Sequence, residues 1–131
     1  MQQKQIDRQK QKQKQSLHYT YETLLHLLST AENFAGLKNE QYEAYNISIA
    51  TEYKDLKSEF VWELDCFQLA MKTYKKKYGE YKFPNELQKE KIIFDIKRYI
   101  NKIPTEKEED KFLYYAMINI IEGKKTDIDF D

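Results

Sequence analysis

The sequence predicts an all-α protein of about four helices arranged around one very long, kinked central helix. Two observations carry that prediction. Gly36, Gly79, Gly123, Pro84 and Pro104 are the only glycines and prolines in 131 residues, and these two residue types are the strongest local breakers of regular structure. The runs between them carry apolar residues at spacings of three and four, which is the period of one helix face. A chain of this length forms one domain and can bury a core without disulfides.

Residues 1–15 nearly alternate Gln with Lys, and Ile6 is the one apolar anchor among residues 2–15. Both residues are good helix formers. With little to pack, the stretch is expected to be a frayed N-terminal extension of the first helix. The domain proper is expected over 16–123, with an acidic C-terminal tail over 124–131.

The first helix is placed at 16–35. Leu17, Tyr21, Leu24, Leu28, Ala31 and Ala35 line one face, and Leu25, Leu27 and Phe34 widen it, so more than one neighbour should grip it. Gly36 stands where a helix-ending C′ residue belongs.

The second helix is placed at 40–82, with Asn39 as its N-cap. Its stripe runs Tyr42, Ile49, Tyr53, Leu56, Phe60, Leu64, Phe67, Met71, Tyr74, Tyr78 and Tyr81. Such a helix would be roughly 65 Å long, against a radius of gyration of about 14 Å for a compact chain of this size. It must therefore project or kink, and Asn46–Thr51 has the weakest helix propensity.

Asn85 with Gln88 makes a capping-box pattern that opens a third helix at 86–102. Ile92, Ile93, Ile96, Tyr99, Ile100 and Ile103 give its face, and Pro104 stops it. Thr105 with Glu108 makes a second capping box for a fourth helix at 106–122. Glu106, Glu109 and Asp110 favour its N-terminus electrostatically. Phe112, Leu113, Ala116, Met117, Ile120 and Ile121 form its face, and Gly123 is its C′ residue. The expected core is Leu24, Leu28, Phe60, Leu64, Phe67, Ile93, Ile96, Ile100, Leu113 and Met117.

Basic and acidic residues number 22 each, so the net charge is zero. That argues against a globally basic nucleic-acid binder. The charge is segregated, however: residues 1–15 sum to +4, 16–71 to −6, 72–104 to +6 and 105–131 to −4. Cys66 is the sole cysteine, which fits a reducing compartment. The N-terminus lacks the apolar region of a signal peptide, and the longest apolar run is too short to span a bilayer. The expectation is a soluble, cytoplasmic protein with no membrane contact. Its compact, AT-rich-coded composition is compatible with a phage or mobile-element origin.

Catalytic and cofactor motifs are missing: there is no phosphate loop, no paired zinc knuckle and no nucleophile elbow. His18, Glu22 and His26 share a face of the first helix, but the two histidines stand about 12 Å apart along the axis, too far to hold one metal ion. No cofactor, metal or enzymatic activity is expected.

Three patterns remain. Glu52, Asp55, Glu59 and Glu63 form an acidic ribbon, which is either a solvated face or a surface for a basic partner. Trp62, Cys66, Leu69 and Thr73 form a second row off the main stripe, covered either by another helix of the chain or by a partner. Tyr74, Lys75, Lys76, Lys77, Tyr78 and Lys82 interleave aromatics with lysines. Rings can stack on bases while lysines meet phosphates, yet Tyr74 and Tyr78 also continue the core stripe, which favours packing.

The resulting expectation is a small non-enzymatic helical protein that binds another macromolecule, foremost a protein, as inhibitor, adaptor or regulator. Glu52, Asp55, Glu59, Glu63 and Trp62 are its candidate partner-binding residues. Two alternatives stand beside it. One is a nucleic-acid-binding module using the basic 72–104 block and the N-terminal tail, with Lys97 and Arg98 joining the lysine–tyrosine segment. The other is a structural helical bundle or homodimer.

Overall fold

A computed structural model of the chain describes residues 2–39, 47–83, 86–103 and 108–124, and their side chains except those of 2–5, 37–39, 47–52, Glu86 and Glu108. These residues form four helices: α1 (Gln2–Asn39), α2 (Ile47–Tyr78), α3 (Glu86–Lys102) and α4 (Glu108–Ile121). Among the described residues there is no strand.

The all-α expectation holds, but among the described residues the longest helix is the first, not the second. α1 has 38 residues and α2 has 32. Residues 2–15 continue α1 without a break, which agrees with their high helix propensity. Gly36 lies inside α1 rather than ending it, and it lacks the positive φ of a C′ glycine. Asn39 is the last residue of α1 instead of the N-cap of α2. Tyr42 and Asn46, at the start of the expected long helix and its kink, lie outside the described residues. The rest of the expected kink, 47–51, is helical.

The other end of α2 also differs from expectation. It stops at Tyr78, four residues early, because Gly79 adopts φ 87° and its N–H donates to the Lys75 carbonyl at 3.0 Å. This is the αL C-cap. Lys75, Lys76 and Lys77 lie in the last turn, where the helix dipole favours cations. α4 ends as expected. Gly123 has φ 76°, its N–H donates to Ile120 O at 3.1 Å, and the Lys124 N–H donates to Asn119 O at 2.8 Å. That pair of bonds is a Schellman motif. α3 spans the residues expected of it. Asn85 and Thr105, the two capping-box caps, lie outside the described residues.

α1 and α2 pack along one another more extensively than any other pair. They run antiparallel, since Gln13 meets Tyr74 and Phe34 meets Tyr53. α3 runs parallel to α1: Gln88 hydrogen-bonds Tyr21, while Tyr99 senses the charge of Glu32. α4 runs parallel to α2, with Asp110 beside Tyr53 and Gly123 beside the Lys75 ammonium. The chain thus goes up, down, up, down. The contacts of α3 fall on the later half of α1, from Tyr21 to Glu32, and those of α4 run from Tyr53 to Lys75 of α2.

One core joins all four helices. At its centre Tyr114 meets Phe60 edge to face at 5.1 Å, Phe34 at 6.4 Å and Tyr99 at 6.4 Å. Its hydroxyl donates to the Ala31 carbonyl at 2.7 Å. Of the expected core, Leu24, Phe60, Leu64, Phe67, Ile96, Ile100, Leu113 and Met117 are buried. Leu28 and Ile93 are only half-buried, and Leu27 takes the position expected of Leu28. Phe112, expected on the inner face of α4, is exposed. Asp110 and Tyr114 anchor α4 through polar contacts, and this turns Phe112 outward in favour of Tyr114 and Ile118.

Candidate functional surfaces

Asp110 is fully buried, which sequence reasoning missed. A carboxylate survives burial only when paired and hydrogen-bonded, and here it is both. Tyr53 Oη lies 3.0 and 2.9 Å from its two oxygens and donates to it, and Lys57 Nζ lies 3.2 Å from Oδ1. The Lys57 ammonium also sits 5.9 Å from the Tyr53 ring centre. The only sequence signal was a pair of α2 residues four apart, Tyr53 and Lys57, aimed at the first turn of α4. Acidic residues there are ordinary dipole partners, so the spacing did not stand out.

Lys57 also borders a hollow of about 620 Å³ on the flank of α2, lined by Lys54, Lys57, Ser58, Val61, Trp62 and Asp65. Trp62 forms one edge. It is the chain's only tryptophan and is 66 % exposed. The row that contains it faces solvent rather than a neighbouring helix. Leu69 is 64 % exposed, Thr73 is exposed and Cys66 is half-buried. Burial pushes the Cys66 thiol above its ordinary pKa, and the Asp65 and Glu63 charges add to it. The thiol therefore stays protonated and is a poor nucleophile.

The acidic ribbon splits. Asp55 and Glu59 are exposed on the flank of the Trp62 row. Glu63 instead turns into the α1–α2 seam, where it is half-buried and hydrogen-bonds the Thr30 side chain. Burial raises its pKa most, the Thr30 bond opposes this, and Glu59 raises it further. The Glu52 side chain lies outside the described residues. On α1, His18 Nε2 is 3.6 Å from Glu22 Oε1, an exposed surface pair. Among the described residues, no three His, Cys, Asp or Glu side chains are grouped to hold a metal.

The lysine–tyrosine segment divides by residue. Tyr74 and Tyr81 are buried, and Tyr78 is half-buried. Tyr74 and Tyr78 rings lie 5.2 Å apart, Tyr74 and Tyr81 5.2 Å, and Tyr81 and Phe83 4.9 Å. Lys75, Lys76, Lys77 and Lys82 are exposed around this aromatic cluster. Lys97 and Arg98 are exposed on α3, and Arg98 pairs with Asp95 at 3.6 Å. They sit level with the later part of α1, near Glu32, roughly 30 Å along the axis from residues 6–13. The fold therefore separates them from Lys77 and Tyr78, which instead face Ile6, Gln9, Lys10, Lys12 and Gln13 across a cleft.

No helix among the described residues is long and apolar enough to cross a membrane. No family model matches the chain, and no curated protein or solved structure was found to be similar to it.

Proposed function

We propose that this protein acts without catalysis, by docking a basic protein partner on the outward face of α2. The observation that carries the reading is Trp62. It stands exposed on the side of α2 opposite the core, in line with Leu69 and beside an open, shallow hollow lined by α2 side chains. Tryptophan is enriched among interface hot spots, which sit in or beside pockets near the interface centre. Asp55, Glu59 and Asp65 are exposed around it and outnumber Lys54 and Lys57, which border the same hollow, and a net acidic rim favours a positively charged partner. The ion pair of Lys57 with the buried Asp110 supports the reading by tying one residue that borders the hollow to α4.

Affinity capture with the full chain tests it. Wild type should retain a basic protein. Trp62→Ala should weaken that complex by roughly 30-fold or more, the scale of a hot-spot truncation. Lys replacements at Asp55 and Glu59 should weaken it further while circular dichroism stays unchanged. Retention at equal affinity by both variants would overturn the proposal.

A further inference from the structure

The cleft between the start of α1 and the end of α2 is a separate feature. Its volume is about 440 Å³, and Ile6, Gln9, Lys10, Lys12, Gln13, Lys77 and Tyr78 line it. It joins the two most basic blocks of the chain, which lie more than sixty residues apart in sequence. Antiparallel pairing of α1 with α2 brings them together, and the Gln13 side chain donates to Tyr74 Oη at 3.2 Å to set the register. Lys10, Lys12 and Lys77 are exposed and pair with no carboxylate among the described residues. Asp7 is the one acidic residue in residues 2–15.

We infer that this cleft binds single-stranded nucleic acid, with Lys10, Lys12 and Lys77 on the phosphates and the Tyr78 ring stacked on a base. Three features select that ligand. Unpaired lysines along a groove neutralise a polyanion. Tyr78 is half-buried, lines the cleft and packs on the tilted Tyr74 ring at 5.2 Å, so the cleft wall carries an ordered aromatic, and base stacking needs such a platform. Gln9 and Gln13 offer amide groups that can donate to and accept from base edges. A lipid surface fits poorly, because Ile6 is the one apolar side chain that this stretch of α1 brings to the cleft, and interfacial helices need a broad apolar face.

Fluorescence anisotropy of a labelled 15-nucleotide single strand with the full chain, across a salt series, tests the inference. Binding should appear at low salt, and log K should fall against log salt with a slope of about −2, as expected for three lysines on a single strand. Replacing Lys10, Lys12 and Lys77 with Gln should bring the slope towards zero. Tyr78→Leu keeps an apolar side chain against Tyr74, and should weaken binding roughly 5- to 100-fold with the slope unchanged; Tyr78→Phe should bind like wild type. Gln at Lys97 and Arg98 should change nothing. The inference fails if no binding appears at low salt. It also fails if Tyr78→Leu is silent, or if duplex DNA or inorganic polyphosphate competes as well as the single strand, since either result means a non-selective anion patch. These variants leave Trp62 untouched, so protein capture through α2 should survive all of them.

Discussion

Two buried tyrosine hydroxyls have opposite fates. Tyr114 donates to the Ala31 carbonyl, whereas Tyr81 Oη has no hydrogen-bond partner among the described residues. Removing a satisfied hydroxyl loses a bond worth about 1 kcal/mol, and removing an orphaned one relieves a desolvation cost of about 1–3 kcal/mol. Tyr114→Phe should therefore lower stability in urea unfolding, and Tyr81→Phe should raise it by about 1 kcal/mol. Burial pushes Tyr81 from 10.0 up to about 12, with Tyr21 and Tyr74 adding to it. The folded state thus holds this proton more tightly than the unfolded chain. Its contribution is intact below pH 10 and is lost as pH rises towards 12. Burial raises Tyr114 and Tyr99 in the same direction. Thermal melts should show stability falling across that window, and less steeply in Tyr81→Phe. At Asp110 the loss should be larger. Asp110→Ala removes the buried carboxylate that the Tyr53 hydroxyl and the Lys57 ammonium share, so urea unfolding should report a cost of about 2–4 kcal/mol.

The two glycines near the ends of α1 and α2 behave differently, although both were read from the same residue type. Gly79 needs φ 87°, so Gly79→Ala should destabilise by about 1–2 kcal/mol. Gly36 has helical neighbours on both sides, and an added Cβ would meet nothing within 4 Å. Gly36→Ala should stabilise by about 0.5–1 kcal/mol. Glycine marks where a helix can end, but the hydrogen bonds of the following residues decide whether it does. The faces of α2 and α3 were legible because Phe60, Leu64 and Phe67, like Ile92, Ile96 and Tyr99, repeat at four and three. The face of α4 was not fully legible. Polar anchors at Asp110 and Tyr114 set its rotation, and a polar residue is invisible to a hydrophobic period. The packing of the start of α1 was not legible, because its neighbour, the end of α2, comes from a distant part of the chain. The Trp62 row was legible as apolar spacing, but nothing local distinguishes a row covered by a sister helix from one left open.

Across the whole molecule, the charge blocks of the sequence become places. The basic start of α1 and the basic end of α2 meet at one end. The acidic side chains Asp55, Glu59 and Asp65 flank Trp62 further along α2. A neutral chain is in this way strongly dipolar, and its two surfaces suit ligands of opposite charge. Fluorescence quenching of Trp62 by acrylamide, in the free protein over a range of concentrations, tests the exposure on which the proposed docking face depends. No other tryptophan contributes to the signal. A solvent-like emission, freely quenched and independent of concentration, is the expected result. A blue-shifted emission shielded from quencher would contradict it: shielding at every concentration would mean that the chain covers its own α2 face, and shielding that fades on dilution would mean that a second copy does.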